Sequence, residues 1–484
     1  MNRRTKIVAT VGPASESPEV LEALMRAGVD VVRLNLSHGP LDEHVQRLRA
    51  VRAAAFAVGR PIAVLADLPG PKVRAGRFPD GGVLFAPGDI VRCQPCRDIA
   101  GVADTSDAAV VTVDYPQLLT DVREGDKVVV GDGGITLRVT SIGTDSVTAR
   151  VETGGLAQGR PGIHLPSERF RMASPTDEDL GLAAAMAAEG VEFLGVSFVR
   201  GAADLERVRE VVIPHTTRLV AKIETLPAVE NLAEIIEVTD AVMVARGDLG
   251  IELPLEDVPH LQKRIIRQCV EAGVPVITAT QMLESMIEAP APTRAEVSDV
   301  ANAVFDGTDA VMLSAETAVG HNPVLVVTTM SQIAARAEAE ANYEQWSERL
   351  GRVQRRQWND TSDRITMAIS HACALASADA GAEAILCCTR SGRTVNAMAR
   401  FRPTARLIGL SPDPATVRAM SLTWGVTPIQ VDTYGSTDEL VWYAVESAVT
   451  QGLITTGSVV AVLAGAPDRA SGAATDVLRL VRVG

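Results

Sequence analysis

Short apolar segments rich in Val, Ile and Ala alternate with longer amphipathic segments along most of the chain. The first apolar segment is KIVATVG, and the helical pattern SPEVLEALMRAG follows it. Apart from one long interruption, this pair of patterns occurs eight times before residue 342. Apolar runs without polar alternation are typical of parallel strands that are covered on both faces. Eight such strands, each followed by a helix, predict an α/β fold, a closed (β/α)8 TIM barrel. A doubly wound open sheet is the alternative.

The interruption lies between residues 69 and 168. Turn sequences such as FPDGG, APGD and REGD separate short runs such as DKVVV and ITLRV. Short alternating runs between Gly- and Pro-rich turns are typical of an all-β unit. The sequence therefore predicts a β-rich domain of residues 69–168, inserted into a barrel formed by residues 1–68 and 169–342.

A polar stretch, EQWSERLGRVQRRQWNDTSD, ends the barrel pattern and is interpreted as a connecting helix. Beyond it, segments such as RITMAISHACALASADAG and AEAILCCT resume the alternation of helix and strand. We therefore predict a second α/β domain over residues 343–484.

Polar residues follow the predicted barrel strands at the points where the strands end. Because active sites of such barrels lie at the carboxyl ends of the strands, these side chains would meet at one rim. Alone, Lys222 with Glu224 is interpreted as a salt bridge, and Arg246 with Asp248 as a structural ion pair. Six strands that end this way favour an active site instead. The residues are Arg33, Asn35, Ser37, His38, Asp67, Lys222, Glu224, Arg246, Asp248, Thr278, Thr280, Gln281, Ser314, Glu316 and Thr317.

The residue types at this rim favour phosphoryl transfer. Glu224 and Asp248 are carboxylates from adjacent strands, which suits Mg²⁺, a cation that uses one or two protein carboxylates and several waters. The cations Lys222, Arg33 and Arg74 could hold a phosphoryl group. Charge neutralisation and positioning are what phosphoryl transfer requires. The hydroxyls that could carry a proton are those of Thr280 and Ser314.

Other classes of protein fit the sequence poorly. The net charge is −14 and no long basic run occurs, which argues against a nucleic-acid or anionic-membrane partner. A signal-peptide core and an apolar run of membrane-spanning length are both missing, so a cytoplasmic protein is expected. No phosphate-binding P-loop motif and no Ser–His–Asp arrangement is evident at the strand ends.

Several longer segments closely resemble pyruvate kinase, in the order found in that family. They are TKIVATVGPAS, RLNLSHG, AKIE, VMVARGDLG, PVITATQMLESM and PTRAEVSDVANAVFDGTDAVMLSAETA. The resemblance implies a barrel domain, an inserted β-barrel lid and a C-terminal α/β domain. It implies transfer of the phosphoryl group of phosphoenolpyruvate to ADP, giving pyruvate and ATP in glycolysis. It also implies Mg²⁺ or Mn²⁺ as cofactor and a homotetramer.

The resemblance assigns roles to individual residues. Lys222 would stabilise the phosphoryl group in transit, and Arg33 would hold the substrate phosphate. Gly247, Asp248 and Thr280 would bind the substrate carboxylate, and Thr280 and Ser314 would lie on the proton path. The metal ligands would be Glu224 and Asp248. The residues facing ADP or ATP would be Asn35, His38, Arg74 and, where many relatives carry a lid lysine, Arg160.

One position departs from the pattern of many relatives. Those relatives hold a monovalent cation with residues matching Asn35, Ser37, Asp67 and the backbone of Leu68. They carry an acidic residue where this chain has Lys72. The hypothesis is that the Lys72 ammonium supplies the charge otherwise provided by K⁺, so that K⁺ is not required. The alternative is a surface lysine at the lid hinge.

The C-terminal domain contains TRSGRT, which matches a loop that binds an effector phosphate in several relatives. The residues of this expected allosteric site are Thr389, Ser391, Gly392, Arg393 and Thr394. Its partner loop, GAPDRASGAATD, leaves the ligand open, and an unregulated site is the alternative. Two other functions also remain open: a catalytically inactive, pyruvate-kinase-like regulatory protein, and a different barrel enzyme that uses phosphoenolpyruvate.

Overall fold

The computed structural model describes residues 3–96, 109–131, 133–166, 172–353, 361–433, 436–465 and 474–484. In these ranges no helix is both long enough and apolar enough to span a bilayer. The expected end of the inserted domain at residue 168 lies outside the described residues. The division into three domains at the expected boundaries therefore stays a prediction.

Two strand–helix units and a third strand begin the chain. They are β1 (Lys6–Thr10), α1 (Pro18–Ala27), β2 (Val31–Asn35), α2 (Leu41–Val58) and β3 (Ala63–Asp67). Every residue of β1 and β3 is buried, as expected for strands between a barrel interior and an outer layer of helices. The side chain of Ser17 accepts a hydrogen bond from the first turn of α1, which fixes where that helix begins.

The inserted segment is β-rich, as predicted. Its elements are β4 (Val83–Phe85), β5 (Ile90–Pro95), β6 (Val110–Val113), α3 (Leu118–Asp121), β7 (Lys127–Val130), β8 (Ile135–Ile142), β9 (Val147–Thr153), β10 (Gly155–Ala157) and β11 (Ile163–His164). Six strands form a sheet in the order β11-β7-β8-β9-β5-β6, and β4 pairs with β10. Residues 73–76 hydrogen-bond beside both outer strands, since Gly76 N donates to Thr112 O and Ile163 N to Val73 O. The sheet is thereby closed into a barrel-like lid.

The barrel resumes after the lid. Its elements are α4 (Asp177–Ala188), β12 (Phe193–Val196), α5 (Ala202–Val212), β13 (Arg218–Ile223), α6 (Leu226–Glu230), α7 (Leu232–Val238), β14 (Ala241–Ala245), α8 (Arg246–Glu252), α9 (Val258–Ala272), β15 (Val276–Ala279), a 3₁₀ turn (Glu284–Ile287), α10 (Arg294–Asp306), β16 (Ala310–Leu313), α11 (Ala315–Ala318) and α12 (Pro323–Glu340).

The eight predicted strands close into one barrel. Their order is β1-β16-β15-β14-β13-β12-β3-β2, and the neighbours pair in parallel. Closure excludes the open-sheet alternative. Because all eight strands run in the same direction, their carboxyl ends meet at one rim. The assignment of Thr278 to this rim is wrong, because its fully buried side chain donates to Thr308 Oγ1, which precedes β16.

A five-stranded sheet follows the barrel. The elements after α12 are α13 (Tyr343–Val353), α14 (Thr361–Asp379), β17 (Ala384–Cys388), α15 (Arg393–Ala399), β18 (Arg406–Ser411), α16 (Pro414–Ala419), β19 (Val426–Gln430), α17 (Thr437–Thr450), β20 (Val459–Ala464) and β21 (Val477–Arg482). The order is β19-β18-β17-β20-β21, with only β21 antiparallel to its neighbour. This sheet packs at the amino-terminal end of the barrel strands, where Arg402 pairs with Asp309 at 2.9 Å.

Candidate active site

Lys222 lies at the end of β13, in the middle of the rim. Its Nζ is 3.2 Å from Asp67 Oδ1, 2.9 Å from Glu224 Oε1 and 2.6 Å from Ser197 Oγ. An ammonium has three N–H donors, so each one faces an acceptor. Burial alone would lower the pKa of Lys222, but Asp67 and Glu224 raise it above its usual value, and the group stays protonated.

Asp67, at the end of β3, joins the two cations of the rim. Its Oδ2 accepts from Arg33 Nη2 at 2.6 Å and from Arg33 Nε at 2.7 Å, while Oδ1 faces Lys222. Burial raises the pKa of Asp67, but Lys222 and Arg33 outweigh burial and lower it below its usual value. Thr10 Oγ1 accepts a further bond from Arg33 at 3.1 Å. The guanidinium of Arg33 is therefore fixed in place.

Glu224 and Asp248 both line a cleft of about 520 Å³ between the barrel rim and the lid. Glu224 Oε2 accepts a hydrogen bond from Phe198 N at 2.9 Å. Burial raises the pKa of Glu224 above its usual value, and the nearby charge of Asp248 adds to that effect. Two carboxylates that repel each other in this way fit a divalent cation, which would neutralise both.

This carboxylate pair matches the needs of a hard, strongly hydrated cation. Among the described residues no group of three or more His, Cys, Asp or Glu side chains could hold a metal ion. Mg²⁺ accepts such a set, since it takes one or two protein carboxylates and leaves its other positions to water and substrate oxygens. A site for zinc would need more protein ligands.

Thr280 and Gly247 meet at the rim through a short hydrogen bond. Gly247 N donates to Thr280 Oγ1 at 2.8 Å, and that hydroxyl donates to Ala279 O at 2.6 Å. Thr280 and Gln281 have φ angles of 67° and 54°, in the left-handed region that non-glycine residues rarely adopt. The strain lies at a predicted catalytic residue, as is common in active sites.

Ser314 has a buried hydroxyl with no hydrogen-bond partner among the described residues. Its backbone N donates to Glu316 Oε2 at 2.6 Å, and Leu283 N donates to the other oxygen of Glu316 at 3.2 Å. A buried polar atom without a partner is uncommon, and it marks a place where a ligand or water can bond.

His38, Lys72 and Arg74 line the cleft on the side where ADP or ATP is expected. Burial lowers the pKa of His38, and the charges of Lys72, Arg74 and Arg33 lower it further, which shows that these cations lie near one another. Arg160 is not among the residues that line the cleft. It instead faces Asp114 at 3.7 Å and donates to Ala75 O at 3.4 Å.

Comparison with known proteins agrees with this architecture. Residues 2–327 match the family model "Pyruvate kinase, barrel domain", and residues 367–481 match "Pyruvate kinase, alpha/beta domain". The chain belongs to the pyruvate kinase family. It is 39% identical to a pyruvate kinase of Geobacillus stearothermophilus over 96% of this chain and 78% of that protein. It is 38% identical to one of Clostridium acetobutylicum over 99% of both, and 39% identical to one of Methylorubrum extorquens over 100% and 98%.

In this member of the pyruvate kinase family, the groups expected around a monovalent cation are bonded to protein atoms. Lys72 Nζ donates to Ser37 Oγ at 3.1 Å, and Ser37 N donates to Asn35 Oδ1 at 3.2 Å. Leu68 O accepts from Ser197 Oγ at 2.7 Å. Withdrawal from water lowers the pKa of Lys72, and Lys222 lowers it further, although the nearby carboxylates raise it.

Sequence reasoning missed several contacts at the rim. Interpreting Arg246 and Asp248 as a structural ion pair is wrong, because Arg246 Nη1 pairs with Asp299 Oδ2 at 2.7 Å. The contacts of Ser197 and Phe198 with Lys222 and Glu224 were also missed. A serine directly after the buried run VEFLGV was the available signal, since β12 ends at this rim as the other strands do.

The expected effector loop connects β17 with α15. Gly392 has a φ of 91°, and its N–H donates to Thr389 Oγ1 at 2.9 Å. Ser391 O accepts from Arg218 Nη2 at 3.0 Å, which links the loop to the first residue of β13. Thr394 Oγ1 is 2.7 Å from Thr475 Oγ1. Most of the partner loop, residues 466–473, lies outside the described residues.

Proposed function

We propose that this chain is an active, Mg²⁺-dependent pyruvate kinase of glycolysis, which transfers the phosphoryl group of phosphoenolpyruvate to ADP. The observation that carries the proposal is the protonated Lys222 ammonium, held 2.9 Å from Glu224, which lines one cleft together with Asp248. A fixed cation stabilises the negative charge of a phosphoryl group in transit, and a carboxylate pair beside it can hold a metal ion that does the same.

The proposed roles follow from the position of each side chain. Lys222 and Arg33 stabilise the negative oxygens of the phosphoryl group, and Asp67 contacts both cations and holds them on one side of the cleft. Mg²⁺ or Mn²⁺, held by Glu224 and Asp248, would neutralise further phosphate charge. These ligands fit the ion, since both are carboxylates of the same cleft.

Carboxylate binding and proton delivery are assigned to the sixth, seventh and eighth strand ends. The backbone N–H groups of Gly247 and Asp248 and the hydroxyl of Thr280 would bind the substrate carboxylate. For this the Gly247 N–H must turn from Thr280 Oγ1, and the Thr280 hydroxyl from Ala279 O. Thr280 and Ser314 would lie on the path by which the enolate of pyruvate is protonated. The unpartnered hydroxyl of Ser314 supports this assignment, because it leaves a donor and lone pairs for a water or substrate atom.

Contacts to the nucleotide are assigned to the lid side of the cleft. Asn35, His38 and Arg74 would face ADP, and the position of His38 and Arg74 in the cleft lining supports this. Arg160 must leave Asp114 before it can reach a nucleotide. Its role therefore requires a change in the conformation of the Arg160 side chain, since Asp114 and Ala75 belong to the lid as Arg160 does.

The assay for this function is pyruvate formation from phosphoenolpyruvate plus ADP with Mg²⁺ present. Lys222→Met should lose nearly all activity because the phosphoryl group loses its fixed cation. Lys263→Met is the matched control, since Lys263 lies on α9 and pairs with Asp306. A wild-type protein that folds but forms no pyruvate would contradict the proposal. It would favour the inactive regulatory protein, although Lys222, Glu224, Asp248 and Thr280 are all present.

Independence from K⁺ is part of the proposal. Lys72 Nζ donates a hydrogen bond to Ser37 Oγ, and the carboxylate of Asp67 already pairs with Arg33 and Lys222. We expect the wild type to have equal activity in KCl and in tetramethylammonium chloride of the same ionic strength. Lys72→Glu should make the enzyme depend on KCl. Strong activation of the wild type by KCl would contradict this part.

The proposal also includes a phosphorylated allosteric effector that binds residues 389–394. The enzyme is proposed to be a homotetramer in the cytoplasm, with no nucleic-acid or membrane partner. The Gly392 turn and the hydroxyls of Thr389 and Ser391 support an anion site. Light scattering tests the tetramer. Titration with sugar phosphates and AMP tests the effector site, with Arg393→Ala as the variant expected to lose the response.

A further inference from the structure

The turn after β12, formed by Ser197 and Phe198, contacts two catalytic side chains at once. Ser197 Oγ accepts a hydrogen bond from Lys222 Nζ at 2.6 Å. The next residue, Phe198, donates its backbone N–H to Glu224 Oε2 at 2.9 Å. One dipeptide therefore orients both the proposed catalytic cation and a proposed metal ligand.

The hydroxyl of Ser197 has its proton committed elsewhere. It donates to Leu68 O at 2.7 Å, so the oxygen can meet Lys222 only as an acceptor. Ser174 Oγ donates to the backbone oxygen of Ser197 at 2.8 Å, which holds the residue in place. Ser197 is thus a neutral, fixed acceptor for the ammonium.

Lys222 has one close neighbour for each of its three donors. One faces Asp67, one faces Glu224 and one faces Ser197. When Lys222 turns the donor that faces Glu224 toward a phosphoryl oxygen, that carboxylate oxygen becomes fully available to a cation. Asp67 is shared with Arg33, so Ser197 is the partner that remains for Lys222 alone.

The same turn packs against the start of the lid. Gly70 has a φ of 69°, and a Cβ there would lie 2.8 Å from Ser197 Cβ and 2.7 Å from Phe198 Cδ2. Gly70 N also donates to Asp179 Oδ1 at 3.0 Å, which ties this hinge residue to α4. Phe198 has a φ of 54°, a strained conformation for a bulky residue that its packing must maintain.

We propose that the Ser197–Phe198 turn is a positioning unit, which keeps the Lys222 ammonium in place when Glu224 turns to a divalent cation and which links both groups to the lid hinge at Gly70. The inference rests on the proposed function and deepens it. Neither residue of the turn is assigned a contact with substrate, so the unit acts through Lys222 and Glu224.

Direct cation binding tests the proposal without turnover. Free Mn²⁺ is measured by electron paramagnetic resonance in the presence of the full-length protein, with no substrate, for wild type, Ser197→Ala and Ser197→Cys. A hydrogen bond to a charged group is strong enough that its loss should raise the Kd for Mn²⁺ about tenfold in Ser197→Ala. The thiol of Ser197→Cys is a weaker acceptor of similar size, so the Kd of this variant for Mn²⁺ should lie between those of the wild type and Ser197→Ala.

Turnover gives the second measurement. In Ser197→Ala we expect kcat to fall about tenfold or more, because the ammonium acts on the phosphoryl group in transit, while the KM for ADP stays unchanged. Ser370→Ala is the matched control. Ser370 is fully buried and donates to Thr366 O at 2.7 Å in α14, far from the rim. Thermal unfolding of each variant separates loss of positioning from loss of the fold.

The hinge is tested by a pair of glycine substitutions. Gly70→Ala should weaken Mn²⁺ binding and lower kcat, since the new Cβ pushes against Ser197 and Phe198. Gly59→Ala has nearly the same φ, 68°, but its Cβ meets nothing within 4 Å. It therefore reproduces the backbone strain without the collision and should keep the wild-type Kd for Mn²⁺.

Two results would overturn the inference while leaving the proposed function intact. One is an active wild type for which Ser197→Ala keeps both the Kd for Mn²⁺ and kcat within twofold. The other is an equal loss of Mn²⁺ binding in Gly70→Ala and Gly59→Ala. If instead the wild type binds Mn²⁺ but forms no pyruvate, the proposed function fails, and the Mn²⁺ titrations still decide the role of the turn.

Discussion

Replacing Arg246 with lysine should lower the catalytic activity of the site at the rim, although the positive charge is kept. Arg246 Nη2 donates to Thr280 O at 2.6 Å and Nε donates to Ala279 O at 3.2 Å, while Nη1 pairs with Asp299. The side chain is only 10% exposed. A planar guanidinium can bond these carbonyl oxygens and the carboxylate together, whereas the single ammonium of lysine cannot.

The magnitude follows from the bonds that would be lost. A hydrogen bond to a charged group contributes about 1.5–3 kcal/mol, so losing two costs at least about 3 kcal/mol. The left-handed backbone at Thr280 and Gln281 stores roughly 1–2 kcal/mol per residue, which the arginine contacts offset. Without them the backbone relaxes and Thr280 Oγ moves from Gly247 N. Since about 1.4 kcal/mol corresponds to a tenfold change in rate, kcat/KM for phosphoenolpyruvate should fall about a hundredfold.

The assay compares kcat/KM of the wild type, Arg246→Lys and Asp299→Asn. Asp299→Asn leaves the guanidinium on the carbonyl oxygens and should lose less than tenfold. Arg267→Lys, at an exposed position of α9, controls for the substitution itself. If Arg246→Lys kept kcat/KM within threefold of the wild type, the account of the strained Thr280 would be refuted.

Three further outcomes are expected. Arg402→Met should lower the free energy of unfolding in urea by about 3–5 kcal/mol, because it leaves the buried carboxylate of Asp309 without its cation; a change below about 1 kcal/mol would contradict this. Burial raises the pKa of Asp30, but Arg3 and neighbouring cations lower it below 3.8. The ionised Asp30 therefore stabilises the fold above pH 3.8, and this contribution is lost as pH falls through the lowered pKa. The free energies of unfolding of the wild type and Asp30→Asn should converge in acid, and a difference that stays constant with pH would contradict this. Burial raises the pKa of five of the six thiols, which slows their reaction with a disulfide reagent. We therefore expect one thiol of the folded protein to react rapidly, that of the half-buried Cys96, and all six to react after denaturation. Several rapidly reacting thiols in the folded protein would contradict this.

Local patterns were enough to predict the barrel and the rim. Each strand is a short apolar run followed at once by polar residues, and parallel closure brings those ends together without any knowledge of side-chain contacts. Lys222 and Glu224 could be singled out because one charge is the next-to-last residue of a buried strand and the other follows that strand directly.

Contacts between distant segments could not be predicted in the same way. Asp299 lies on α10, far along the chain from Arg246, and no periodicity links them. Arg160 was assigned by resemblance, yet it faces Asp114, since the orientation of a lid side chain depends on its tertiary neighbours. Ser197 carries no charge, so its position directly after a buried strand was the available signal, and nothing in the pattern showed which side chains it contacts.

The charges around Lys222 give a physical reason for the proposed effect of residue 72 on the K⁺ requirement. Three cations, Arg33, Lys72 and Lys222, face three carboxylates, those of Asp67, Glu224 and Asp248. These six charges cancel and Arg74 adds one positive charge nearby, so a substrate phosphate still needs the charge of a divalent cation to be neutralised. Lys72→Glu would leave two cations against four carboxylates in the same small volume. A monovalent cation would then restore part of the balance, which is the physical reason to expect the activity of that variant to depend on KCl.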